Sequence, residues 1–245
     1  PRSPSVANFD VRVLDPGVIV ETVTAHLVGS IDERLDHASI CNVALSGGTT
    51  PKAVYEALGR NTTTEWSRVV FWEVDERAVP EESPRSNAQM IRKALTPLLD
   101  QGAKFYPFFG EGDLDAAAEG YAELLEGALV GTPPRFDVVL LGIGDDGHTA
   151  SLFPGDGTIA LSDEPMTRAV PAVPAQGREA WLTLSATTIL AARELLLLAT
   201  GASKAPALAR LFADEGAEEE TPSRLLRRAR NPVVVYLDVA AGGRE

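Results

Sequence analysis

Four short apolar runs in this chain stop abruptly at turns rich in glycine or charge. They cover residues 40–45, 68–74, 136–141 and 195–200, and three of the turns lead into a stretch with helical spacing. An apolar run of that length, bounded by turn residues, reads as a buried strand. Strands alternate with helices from end to end, which makes a mostly parallel sheet covered by helices on both faces. The expected fold is α/β, an open sheet in one domain over residues 1–245. Ligands of such sheets bind beyond the carboxyl ends of the strands, so function is sought in the four turns.

The third run ends in Gly142-Ile143-Gly144-Asp145-Asp146-Gly147-His148. Asp-Gly alone marks an ordinary turn, but a purely structural turn has no need of a histidine. His148 can carry protons near neutral pH, and a nearby carboxylate such as Asp146 can orient its ring. The first run ends in Ser46-Gly47-Gly48-Thr49-Thr50-Pro51, ahead of a helix expected over 52–58. Two glycines let backbone amides face one point, and Ser46, Thr49 and Thr50 add hydroxyls. A helix start with its free amides favours an anion. The pattern is a phosphate cradle, but neither a Walker loop nor a dinucleotide fingerprint.

The second run ends in Asp75-Glu76-Arg77. Arg77 either grips a phosphate or pairs internally with Asp75 or Glu76. Ser86 is placed to cap a helix over 88–95, and Asn87 faces the helix start or the pocket. The fourth run ends in Gly201-Ala202-Ser203-Lys204. A lysine in the first turn of a helix opposes the dipole. Lys204 therefore either faces an anion or is simply solvated.

The remaining stretches read as scaffold. A first strand over 11–14 is followed by Asp15-Pro16, an N-cap with proline at the first helical position. Val18, Val23, Leu27 and Ile31 then mark the inner face of a helix ending near Asp36, with His26 and His37 solvated. Asp113 caps a helix to about residue 129, with Leu114, Ala117, Tyr121, Leu124, Leu125 and Leu129 inward. Residues 154–166 form a polar loop, 168–173 and 180–184 strands, and 187–193 a short helix. An acidic run over 214–220 reads as a solvated loop, followed by a short basic helix over 225–230 and a last strand over 232–237.

The charge balance narrows the partners. A formal net charge of −13 argues against nucleic acid and anionic membranes, which need a basic footprint. An anionic substrate must then be drawn in by a local basic pocket. The single cysteine, Cys41, lies in an apolar run and reads as a small buried hydrophobe. No apolar stretch approaches the roughly 18 residues of a membrane span. No apolar segment follows Pro1-Arg2-Ser3-Pro4, as a secretory signal would require. A soluble, cytoplasmic protein is expected.

In combination and order, three motifs resemble the family that holds 6-phosphogluconolactonases and glucosamine-6-phosphate deaminases. They are Ser46-Gly47-Gly48-Thr49 with Pro51, Asp75-Glu76-Arg77 with Ser86-Asn87, and the loop from Gly142 through His148 to Pro154. The resemblance runs from about residue 11 to 241. It implies a modified Rossmann-like sheet of the isomerase and CoA-transferase type, and hydrolysis of a 6-phosphosugar lactone with no metal or organic cofactor. It further implies His148 and Asp146 as catalytic residues. Ser46, Gly47, Gly48, Thr49, Asp75, Arg77, Asn87 and Lys204 would bind a small sugar-phosphate lactone, in a monomer or weak homodimer. The deaminase branch carries a further carboxylate five residues after the histidine, where this chain has Phe153. The family's Pro-x-x-Arg is displaced here to Pro174 and Arg178, which leaves Arg178 without an assigned contact. The rival readings are a deaminase or isomerase, and a non-catalytic sugar-phosphate sensor. A sensor would carry a DNA- or protein-binding appendage, for which the chain has no spare segment.

Overall fold

The computed structural model describes residues 8–157, 159 and 166–243. In chain order the elements are β1 (Phe9–Leu14), α1 (Ile19–His37), β2 (Cys41–Leu45), α2 (Thr49–Leu58), β3 (Val69–Glu73), β4 (Asp75–Arg77), α3 (Asn87–Leu99) and β5 (Lys104–Tyr106). There follow α4 (Leu114–Ala128), β6 (Val138–Leu141), β7 (Thr167–Val170), β8 (Trp181–Leu184), α5 (Ala186–Leu190), β9 (Glu194–Ala199), α6 (Ala205–Phe212) and β10 (Val233–Asp238). Seven strands form one parallel sheet in the order β1-β10-β9-β6-β2-β3-β5.

The apolar runs are buried on both faces, as their composition requires. In β2, Cys41, Val43 and Leu45 enter one core and Ala44 the other. The same alternation runs along β6, where Val138 and Leu140 oppose Val139 and Leu141. Helices α1, α2 and α3 cover the first face through Val23, Leu27, Val54, Ile91 and Leu95. Helices α4, α5 and α6 cover the second through Tyr121, Leu125, Ile189, Leu208 and Leu211. Among the described residues no helix is long and apolar enough to cross a membrane. Cys41 has no exposed surface, and burial pushes its thiol up to about 12.

The sequence did not show a second sheet. Strands β4, β8 and β7 form a three-stranded antiparallel sheet. Val74 alone separates β3 from β4 and ties the two sheets together. Its amide donates to the Leu45 carbonyl, and its carbonyl accepts from Leu184 N. The chain thus leaves the large sheet at a buried strand end and continues directly into the small one.

Several local expectations are corrected. Asp15-Pro16 does not start α1. Asp15 instead holds a turn, accepting from Gly17 N and Val18 N, and the helix begins at Ile19. Val18 is exposed, and the inward face runs through Ile19, Val23, Leu27, Ile31 and Leu35. Leu124 is exposed rather than inward. His26 is not solvated: its Nδ1 lies 2.5 Å from Tyr236 Oη and its Nε2 2.6 Å from Glu194 Oε1. The basic segment near 225–230 is a 3-10 helix over Pro222–Arg228 with Arg224 buried. The acidic run is partly engaged, Glu219 accepting from Gly157 N and Glu218 pairing with Arg228. Residues 1–7, and 158 and 160–165 of the polar loop, lie outside the described residues.

Candidate active site

A cavity of about 560 Å³ opens at the carboxyl ends of β2 and β6, beside β4. It is of the size that ordinarily holds a small ligand. Ser46, Gly47 and Gly48 form one wall, and Gly144, Asp145, Asp146 and His148 another. Asp75, Arg77, Asn87, Trp181 and Lys204 complete the lining. Nine of the ten residues expected to act there meet at this one place. The exception is Thr49, which is exposed and does not line the cavity, while Thr50 turns its hydroxyl to Thr200 Oγ1.

Each wall is held from behind. Gly48 takes φ 114°, which glycine adopts without strain. Among the described residues no side chain caps the start of α2 beside it, so its first amides remain for an anion. The Ser46 carbonyl accepts from Tyr55 Oη at 2.7 Å, while its buried Oγ has no partner among the described residues. Gly47 is needed because a methyl there would lie 2.0 Å from Asn87 Oδ1. Of the two directions left open, the Asn87 side chain takes the pocket. Its backbone amide, at the first position of α3, donates to Glu76 Oε1, while its Nδ2 donates to the Asp75 carbonyl at 2.9 Å beside the cavity. Ser86 Oγ caps α3 as expected, accepting from Gln89 N.

The histidine is positioned from both sides. Its Nδ1 lies 2.6 Å from Asp146 Oδ1, the same oxygen that accepts from the His148 amide at 3.0 Å. Burial pushes the Asp146 carboxyl up, but the hydrogen bonds from His148 outweigh it and hold the group below its usual range. With Nδ1 engaged, Nε2 is the nitrogen that can exchange a proton with a ligand. The ring lies so close to Gly144 that a methyl there would meet Nδ1 at 2.1 Å. Phe153 packs against the ring with centroids 4.9 Å apart.

The cations are held differently from one another. Arg77 does not pair with Asp75 or Glu76. Its guanidinium lies over the Trp181 ring at 4.4 Å, and its Nη1 donates to the Arg85 carbonyl at 2.7 Å. Lys204 Nζ lies 2.7 Å from Asp145 Oδ1. Arg178 is not a lining residue: it pairs with Asp156 at 2.9 Å and lies over the Phe153 ring. Among the described residues, no group of three His, Cys, Asp or Glu side chains is arranged to hold a metal ion.

A model of the glucosamine-6-phosphate isomerases/6-phosphogluconolactonase family matches residues 15–235. The chain belongs to that family. It is 36% identical over 221 residues to the 6-phosphogluconolactonase of Rhizobium meliloti, covering 89% of this chain and 91% of the relative. Identity to the 6-phosphogluconolactonase of Pseudomonas aeruginosa is 37% over 220 residues, covering 87% and 88%. The crystal structure of a 6-phosphogluconolactonase from Shewanella baltica superimposes with a TM-score of 0.84 at 27% identity, covering 95% of this chain and 99% of that one.

Three groups of this family member escaped sequence reasoning. Trp181 stands in an ordinary strand pattern, and only β4-β8 pairing, with Arg77 opposite Trp181, brings it to the site. Ser151 donates to Asp75 Oδ2 at 2.7 Å and so ties the histidine loop to β4. Glu73 is fully buried at the end of β3, where burial and the neighbouring Glu76 push its carboxyl well above the usual range.

Asp75 yields a pH prediction. Burial pushes its carboxyl up to about 6, against the opposing hydrogen bond from Ser151 and the nearby His148. A carboxyl raised on folding adds stability that is fully present below its unfolded pKa, near 4, and lost as pH rises through about 6. Thermal melts from pH 4 to pH 8 should show the parent losing up to ~3 kcal/mol relative to Asp75→Asn over that window. Parallel curves for the two proteins would show that Asp75 titrates normally.

Proposed function

We propose that this chain hydrolyses 6-phospho-D-glucono-1,5-lactone to 6-phosphogluconate, as a cytoplasmic enzyme of the oxidative pentose phosphate pathway. The observation that carries the reading is one cavity joining a phosphate cradle to a carboxylate-oriented imidazole. Ser46, Gly47 and Gly48 stand beside Arg77 and Lys204, across from His148 with its Nδ1 on Asp146 Oδ1.

The substrate phosphate lies on the Ser46–Gly48 turn and the start of α2, gripped by Arg77 and Lys204. The unpartnered Ser46 hydroxyl is a donor suited to it. This leaves the lactone carbonyl to His148. Nε2 takes a proton from a water as its oxygen bonds to the carbonyl carbon. The tetrahedral intermediate then expels the ring oxygen, which takes a proton from the same nitrogen. The ester C–O bond to the ring oxygen breaks, an acid C–O bond to the water oxygen forms, and the histidine ends as it began. Asp146 fixes the tautomer and stabilises the transient imidazolium.

Deamination needs acid/base groups for ring opening and for moving a proton between carbons. Phe153 stands where a further carboxylate would serve that chemistry, and its ring packs on His148. The expected result is lactone hydrolysis well above the spontaneous rate by the purified protein, with no ammonia released from glucosamine 6-phosphate. Ammonia release without lactone hydrolysis would replace this reading with the deaminase one.

A further inference from the structure

The cation at one end of the pocket already holds an anion. Lys204 Nζ lies 2.7 Å from Asp145 Oδ1, and Ser203 Oγ donates to the same oxygen at 3.2 Å. One carboxylate oxygen thus receives an ammonium and a hydroxyl, the contacts a phosphate oxygen would seek there. Both Asp145 and Lys204 line the cavity. The hydrogen bond from Lys204 holds the Asp145 carboxyl below its usual range, so the group is ionised near neutral pH.

The Asp145 backbone is fixed independently of its side chain. Arg210 Nη2 donates to the Asp145 carbonyl at 3.2 Å, and Gly147 N closes a turn onto Gly144 O. Its side chain is 62% exposed, against 28% for that of Lys204. The carboxylate can therefore swing into solvent by side-chain rotation, with the loop that carries His148 unmoved.

We propose that Asp145 acts as a built-in substitute for the ligand phosphate, occupying Lys204 in the free enzyme and yielding it only to an incoming phosphate. The inference rests on the reading of Lys204 as a phosphate contact. Displacement weakens every phosphate ligand by the same factor, because only the state with Lys204 released is competent to bind. Inorganic phosphate has no sugar contacts to offset that factor. The pocket is thereby kept clear of simple anions, while the full substrate retains useful affinity through its remaining groups.

The test compares the parent, Asp145→Asn, Lys204→Ala and the double variant. Competitive inhibition by inorganic phosphate is measured with the lactone as substrate, together with KM. The expected result for Asp145→Asn is a fall in both the phosphate Ki and the KM by a common factor of about two to five, the range for an exposed ion pair. In the Lys204→Ala background the same substitution should change neither, since the coupling runs through the ammonium. Unchanged or weaker phosphate inhibition in Asp145→Asn overturns the substitute role. An equal gain with and without Lys204 also overturns it, in favour of simple charge repulsion. Separately, if Lys204→Ala leaves phosphate inhibition and KM as in the parent, the assignment of Lys204 to the phosphate is itself wrong.

Discussion

His148→Ala is expected to lower turnover of the lactone by a factor of about 10² to 10⁴, the span typical of a positioned acid/base group. Affinity for the product, 6-phosphogluconate, should change little, because the proposed phosphate grip is on Ser46–Gly48, Arg77 and Lys204 rather than on His148. The two quantities separate cleanly. Turnover is read after subtracting spontaneous hydrolysis, and affinity by calorimetry on the inactive variant. A loss confined to turnover marks an interaction made in the transition state alone. Turnover within a factor of a few of the parent would remove His148 from the proton transfer. Loss of affinity with turnover intact would make it a binding group.

The second large effect concerns stability. Glu76 is only 2% exposed, and its carboxylate collects four donors. Oε2 accepts from Ser86 Oγ at 2.7 Å and Ala88 N at 2.8 Å, and Oε1 accepts from Asn87 N at 2.9 Å and Arg77 N at 2.6 Å. Three of these donors belong to the start of α3. Glu76→Ala leaves all four unsatisfied beside a buried helix end. The expected cost is about 3 to 5 kcal/mol. At this chain length that corresponds to a fall in Tm on the order of 10 °C, read by circular dichroism. Glu76→Gln keeps the shape but turns one acceptor into a donor facing a donor, and should recover only part of the loss. A Tm within about 2 °C of the parent in the alanine variant would show that water replaces the carboxylate at no cost.

What could be read from residues alone follows from the range of the interactions involved. The four buried strands were legible because a strand covered on both sides must be apolar throughout, as in residues 138–141. The turns after them were legible because they carry hydroxyls, charges and a histidine beyond what turn chemistry alone requires. Strand β4 was not: three charged residues in a row carry no apolar period, and their strand character comes from pairing with Trp181, Leu182 and Thr183. His26 was misjudged because its partners Glu194 and Tyr236 are 168 and 210 residues away. Thr49 stands apart from the other cradle residues because α2 begins at that residue, which is exposed and outside the cavity lining. The fate of Lys204 depended on Asp145, a pairing across 59 residues that no spacing rule announces.

The solitary thiol of Cys41 offers a practical handle. Buried in the core beneath α1, α2 and α3 and some distance from ionising at neutral pH, it should ignore maleimide reagents that need a thiolate. A second cysteine introduced at the rim of the pocket would then be the single point of attachment for a fluorophore. The native scaffold is, in that sense, already prepared for optical titration of its ligands.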